Sequence, residues 1–469
     1  MISVILTAIL AAALAGLVIR YALLRWSRDL RITWSEYTVG MLAISFVVSP
    51  VVAVVGWKVV QGNNLSFNEY WNGWETKAVK QRIECTRDGP CYWEYNCDPY
   101  RCNPHDCNCV CVSRDEDGRC TSESCDTCWD TCYHDCPYVT DEYDYLVDST
   151  IGPFTIASHV FPVNPDSHRW RAGTRVPDEV IARAGVGDPL FWTDAKRRCD
   201  ADVPGPVTRR SAYDNYVLAS EGTILKEYSG DIADYRDAGL LPRLNGSVQE
   251  YYHADKVYFV GFRPADAPAW NRAAEFLNAQ LGRELQGDLH LVVIRDGKVT
   301  ANPDRYAYAL KAHWQDKAEY GDDTLAKNGI VILIGTADGA TVAWSRAFTG
   351  MPMGNEKLLV VLRDGLKGLP LHAVDLIGPG ASQRVGAVTR HPRNIAPAAL
   401  ERVLWGLDDA STKFTRLEMT GPDGQSGYLY LRDEIRLSEN QTYGVFAVVL
   451  AACLLVWLFF AFFEHRRLQ

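Results

Sequence analysis

Twelve of the fourteen cysteines in this 469-residue chain fall in one short segment: Cys85, Cys91, Cys97, Cys102, Cys107, Cys109, Cys111, Cys120, Cys125, Cys128, Cys132 and Cys136. That density is the mark of a disulfide framework or of a set of metal sites. Zinc has some support, because Cys125-Asp-Thr-Cys128 is a CxxC and His105 and His134 lie close by. A zinc ribbon needs two well-separated ligand pairs, however, and spacings such as Cys107-Asn-Cys109-Val-Cys111 are irregular. Bridges are therefore the expectation, with their connectivity open. A CxxC also suits a thiol-disulfide oxidoreductase, but no strand-then-helix pattern surrounds Cys125 and Cys128. Cys199 stands apart, placed to bridge a cluster member or a second subunit, and Cys453 reads as a packed residue inside an apolar run.

Carboxylates offer a second kind of chemistry. Asp322 and Asp323 are adjacent, and paired carboxylates can hold a divalent cation, calcium or magnesium, that activates water for phosphate hydrolysis. With Asp296 and Asp338 they are the acids expected nearest the loops at the carboxyl ends of an α/β sheet. The competing reading is a solvated acidic turn, which Asp favours. His253, His290 and His313 are too scattered to form a metal set, and Asp115-Glu116-Asp117-Gly118 lacks the later ligands of a calcium loop. There is no Walker loop, nucleophile elbow, dinucleotide fingerprint or H-E-x-x-H. A net charge of -10 without a basic stripe argues against a nucleic-acid partner.

Three apolar runs are long enough to cross a bilayer, which takes about 20 residues: Ile2 to Leu24, about Tyr37 to Val60 with Pro50 inside, and Gly444 to Phe463. The first lacks the basic n-region of a signal peptide, so a retained helix is expected. Arg25, Arg28 and Arg31 follow the first run, with Arg20 close enough to snorkel, and Arg466 and Arg467 follow the third. Basic flanks mark the cytoplasmic side, which puts the body between Gln61 and Tyr443 outside, where bridges form. A multi-pass protein of the plasma or inner membrane follows.

The expected divisions are 1–36 (first span and basic loop), 37–62 (second span), 63–140 (irregular cysteine-rich module), 141–255 (mixed connection), 256–440 (α/β domain and extension) and 441–469 (third span and tail). Trp57, Trp71 and Trp74 are placed in the interfacial aromatic belt. Helices are expected at Pro177 to Ala184 and around Ala212 to Lys226, and no internal repeat is evident. From Lys256 the pattern alternates: strand Val257 to Gly261, helix Pro268 to Leu285, strand Leu289 to Ile294, helix Asp304 to Ala318, and strand Ile330 to Ile334. An Asp338-Gly339 turn into a strand from Thr341 to Arg346 and a helix from Glu356 to Leu366 complete it. Ile330 to Ile334, apolar throughout, reads as a central strand buried on both faces. The fold class expected is α+β: three transmembrane helices, a disulfide-rich module, and an α/β domain with helices packed on a mixed sheet.

Residues 256 to 390 resemble the TPM-domain family. The likeness rests on the strand ending at Val293-Ile294, the helix with Tyr308-Ala309 and Trp314, the Asn328-Gly329-Ile330-Val331-Ile332-Leu333 step, Gly350, and the anchor at Gly444 to Phe463. Lys327 stands where that family usually has Asp. The resemblance implies a small exported α/β domain tethered by a membrane helix, and some members are described as phosphatases or metal-binding. The functional expectation is a binding, scaffold or assembly protein of the cell envelope. Its partners would be the lipid bilayer, other membrane or envelope proteins, or copies of itself. A TPM-like metal-dependent phosphatase is the alternative and a thiol-disulfide oxidoreductase the second.

Overall fold

In a computed structural model the described residues are 1–26, 32–82, 92–114, 120–139, 143–157, 188–201, 205–220, 228–245, 255–378, 397–425 and 427–463. The expected helix at 177–184 lies outside them, as does His253. Two compact units divide the chain: Met1–Asn72 joined with the described residues from Thr208 onward, and Gly73–Val207.

Among the described residues, three helices of the first unit are long and apolar enough to span a membrane: Ile2–Arg25, Trp34–Leu65 and Glu439–Phe462. The second runs unbroken past Pro50, with a wide π turn at Ile44–Val48 immediately before it. Proline has no N–H for the helical ladder, and the wider turn accommodates that loss. Trp457 fixes the packing. Its indole N–H donates to the Ala12 carbonyl at 2.9 Å, and its ring stacks on Tyr37 with centroids 5.1 Å apart. Two glycines make room for it, since a Cβ at Gly16 or Gly40 would sit 2.6 or 2.7 Å from the ring. Small residues serve this purpose in membrane bundles. Gly16→Leu or Gly40→Leu should cost about 1–3 kcal/mol through overpacking. Unfolding in detergent would measure it, and wild-type stability in both variants would refute the close fit. Arg20 donates to the Ile32 carbonyl and lies 4.1 Å from the Trp34 ring centroid, so its charge is turned toward the start of the second helix.

Ten strands follow. β1 (Ser66–Arg82), β2 (Tyr92–Arg114), β3 (Cys120–Val139), β4 (Tyr143–Ser149), β5 (Phe154–Ala157) and β6 (Pro206–Asp214) precede β7 (Val257–Val260), β8 (Asp288–Ile294), β9 (Gly329–Gly335) and β10 (Trp344–Thr349). They form one sheet in the order β5-β4-β1-β6, a second in the order β10-β9-β8-β7, and a two-stranded ribbon of β2 and β3. β7, β8 and β9 are parallel and β10 is antiparallel. Helices cover both faces of this mixed sheet. Leu289, Leu291, Val293, Ile330 and Ile332 meet Trp270, Leu277 and Leu281 on one side. Val292, Ile294, Val331 and Leu333 meet Tyr306, Leu310 and Trp314 on the other. β9 is buried at every position, as its unbroken apolar run requires.

Several elements differ from expectation. Residues 66–82 form β1 rather than the start of an irregular module, and Trp74 is buried in it instead of lying in an interfacial belt. The helix expected around Ala212 is β6 followed by one turn at Tyr216–Ala219. The helix expected from Asp304 to Ala318 is two, Pro303–Trp314 and Lys317–Tyr320. Asp316 divides them by accepting the Ala318 N–H at 2.9 Å as an N-cap. The strand after Asp338 begins at Trp344 rather than Thr341. The Asp338 carboxylate collects the N–H groups of Ala340 and Thr341 at 2.8 and 2.9 Å and tightens the turn.

Candidate functional site

The cysteine-rich segment is a long antiparallel ribbon, not an irregular module. Its described bridges are nested: Cys102–Cys132, Cys107–Cys128, Cys109–Cys125 and Cys111–Cys120. Cys85 and Cys91 lie outside the described residues, as do the side chains of Cys97 and Cys136. Cys125 and Cys128 are bridged to separate cysteines on β2, so the CxxC does not form the internal disulfide an oxidoreductase would use. Cys199 and Cys453 are free. Burial pushes the Cys199 thiol up to about 11, which makes it a poor nucleophile at neutral pH.

The ribbon contains a repeat. Register shifts occur between Cys97 and Pro99, between Cys102 and Pro104, and between Cys107 and Val110. Successive cysteines of β2 are five residues apart, while their partners His134, Asp130 and Asp126 on β3 are four apart. Each repeat thus carries an extra residue on β2, a β-bulge that sharpens the local twist. Asn103 and Asn108 occupy two of these bulges with φ of 46° and 49°, a conformation that Asn tolerates better than most residues. Cys97-Asp-Pro, Cys102-Asn-Pro and Cys107-Asn on one strand, with Cys128, Cys132 and Cys136 on the other, carry this signal in the sequence.

A two-stranded ribbon has no interior, so its apolar side chains stay in water. Tyr100, Val110, Val112, Trp129 and Tyr133 are all exposed. Trp129 faces Pro104 and Tyr133 faces Pro99 across the ladder. Tyr100 stacks on His134 with centroids 4.4 Å apart. The donors of Cys109, Glu123 and Cys125 lie within 4.8 Å of one another, a group able to hold a divalent cation. Its two sulfurs are bonded to each other, so thiolate ligation there requires the bridge to open.

Several buried charged groups of the α/β body are committed to one another. At the amino end of β8 the buried Asp288 carboxylate accepts from Lys256 Nζ at 2.7 and 2.6 Å and from Asn72 Nδ2 at 2.9 Å, with His290 Nε2 at 3.2 Å. Burial works against the Asp288 charge, but Lys256 and His290 outweigh it and hold the carboxyl well below its usual range. Burial also lowers His290, against the pull of Asp288. Beside this centre Lys327 meets Glu418 at 2.7 Å and Glu69 at 3.8 Å, and Arg416 reaches Glu69 at 2.5 Å. The Arg416 guanidinium lies over the Trp71 ring at 5.6 Å.

The carboxylates singled out by sequence are not brought together. Asp322 pairs with Lys317 at 3.0 Å. Asp323 accepts from Asn68 Nδ2 at 2.7 Å and from the Tyr70 hydroxyl. Both precede β9 and lie toward its amino end, whereas Asp296 and Asp338 follow β8 and β9. Asp296 caps the helix Gly297–Ala301. His313 contacts Tyr320 and Arg236, and His290 belongs to the Asp288 centre. Sequence reading passed over Lys256, Asp288, Glu69 and Arg416, because isolated charges carry no periodic signal.

Glu275 stands apart from these pairs: burial, with Asp255 adding to it, pushes its carboxyl up to about 7. A raised folded-state value penalises the ionised form. The penalty is absent below pH 4.5, its ordinary value, and grows as pH rises toward 7. Glu275→Gln should therefore stabilise by about 1–2 kcal/mol near pH 8 and by almost nothing near pH 4.5. Equal gains at both pH values would show that burial of the charge is not the cause.

No protein-family signature, curated protein or solved structure matches this chain. The fold and the ribbon define the class: a multi-span membrane protein with an extracytoplasmic, disulfide-rich, sheet-containing domain.

Proposed function

We propose that this protein is an envelope scaffold or assembly factor of the plasma or inner membrane, whose ribbon engages other envelope proteins. The observation that carries this reading is the contrast between the ribbon and the α/β body. The ribbon is covalently stapled and holds Trp129 and Tyr133 in water, while buried charges of the body such as Lys256 and Asp288 are spent on internal pairs. Aromatic side chains on a rigid support lose little entropy when a partner covers them, the usual character of an interface anchor. The parallel β7-β8-β9 arrangement with helices on both faces supports a TPM-like reading of residues 256 to 390. A phosphatase centred on Asp322 and Asp323 would first have to release them from Lys317, Asn68 and Tyr70.

A photo-crosslinking residue in place of Trp129, in native membranes, should give a discrete adduct that the same residue in place of Tyr308 does not. Tyr308 is equally exposed but lies on the α/β body. Equal labelling from both positions, or none from either, would refute the scaffold reading. Magnesium-dependent hydrolysis of a phosphate ester, lost in Asp322→Asn with Asp323→Asn, would replace it with the enzyme.

A further inference from the structure

Building on the scaffold reading, we propose that the outer edge of β3 is a docking strand that an extended, Lys- or Arg-bearing segment of a partner protein joins by β-addition. Among the described residues β2 and β3 form a two-stranded sheet, so each strand has an edge with no neighbouring strand. An open edge presents a row of backbone donors and acceptors and is a template for another strand. The two edges are not equivalent. β2 is interrupted by Pro99 and Pro104 and by register shifts at each repeat, with Asn103 and Asn108 at positive φ. Such devices stop a strand from adding. β3 runs in continuous register from Val139 to Asp126, and from Thr121 to His134 it contains no proline.

Charge decides what can occupy that edge. β3 carries Glu123, Asp126, Asp130 and Asp135 and has no Lys or Arg. Glu123, Asp126 and Asp130 are exposed, and His105 Nδ1 lies 3.9 Å from the Asp130 carboxylate. A second copy of β3 laid alongside would set carboxylate against carboxylate, which is destabilising across a strand pair. A basic strand reverses that sign. Asp126 and Asp130 project from one face and Trp129 and Tyr133 from the other. A partner strand with alternating basic and small residues would meet the acids on one face and lay its remaining side chains by the aromatics on the other.

The test uses the intact protein in nanodiscs and an eight-residue peptide of alternating Lys and Thr, with a fully N-methylated peptide of the same sequence as control. The unmodified peptide is expected to bind and to slow hydrogen exchange along β3. N-methylation, which removes every backbone donor and keeps the charge, should weaken binding about tenfold or more. Asp126→Asn with Asp130→Asn should do the same while leaving the disulfide pattern by mass spectrometry unchanged. Equal affinity for both peptides, unchanged affinity in the double variant, or protection confined to another element would each overturn the proposal. Its failure is separable from failure of the scaffold reading. A discrete crosslink from Trp129 without peptide binding refutes strand addition alone, whereas absence of any Trp129 adduct refutes the reading beneath it.

Discussion

Asp288→Asn in the intact protein is expected to cost about 3–5 kcal/mol of stability, because it leaves the Lys256 ammonium buried without its counter-charge. Lys256 and Asp288 are each no more than 3% exposed, so water cannot take over the lost contacts. Replacing both partners tells a different story. Lys256→Met with Asp288→Leu should recover much of the loss, since no uncompensated charge remains. Denaturant unfolding followed by tryptophan fluorescence would measure both, and a single variant as stable as the wild type would show that the centre is hydrated. The same centre sets an acid limit. Asp288, depressed in the folded state, contributes stability that is lost only as pH falls below the usual carboxylate range. His290 is also lowered, so its contribution is lost earlier, as pH falls through about 6.5, when the unfolded chain takes up a proton and the folded one does not. Stability should therefore begin to fall on the acid side at histidine pH values, and His290→Gln should move that onset lower.

Reduction should have the second large effect, confined to the ribbon. An isolated two-stranded sheet is marginal in water, and β2 and β3 have no core of their own beyond their bridges. Cys107→Ser with Cys128→Ser should cost about 2–4 kcal/mol, and full reduction should abolish the paired strands. The β7–β10 sheet, whose stability comes from buried Val, Ile and Leu, should keep its slow-exchanging amides under the same conditions. Hydrogen exchange read segment by segment separates the two. Loss of protection in both would mean that the ribbon supports the α/β body.

Much of the architecture was legible because it repeats at short range. The three spans show as apolar length, the helix Ala267–Leu285 as a stripe through Trp270, Ala274, Leu277 and Leu281, and β9 as five consecutive aliphatic residues. What resisted reading was extended structure of polar composition. β1 contains Asn68, Glu69, Asn72 and Glu75, each turned to a specific distant partner such as Asp323, Arg416, Asp288 or Arg198, so it offers no hydrophobic alternation.

The candidate site divides along the same line. Its cysteines, acids and aromatics are plain in the sequence, and their number on the oxidising side of a membrane already implied bridges. The pairing was not, because connectivity depends on register, and register depends here on bulges that place five residues of β2 against four of β3. The sequence by itself determined the anchors, the side of the membrane and the need for covalent staples, since these follow from transfer energies and redox chemistry summed along the chain. Only the tertiary structure decided that Asp322 and Asp323 serve separate partners, that Lys256 and Asp288 share a buried centre, and that β3 pairs with β2 alone among the described residues. Those outcomes rest on which residues meet across long separations, a matter of packing geometry rather than local composition.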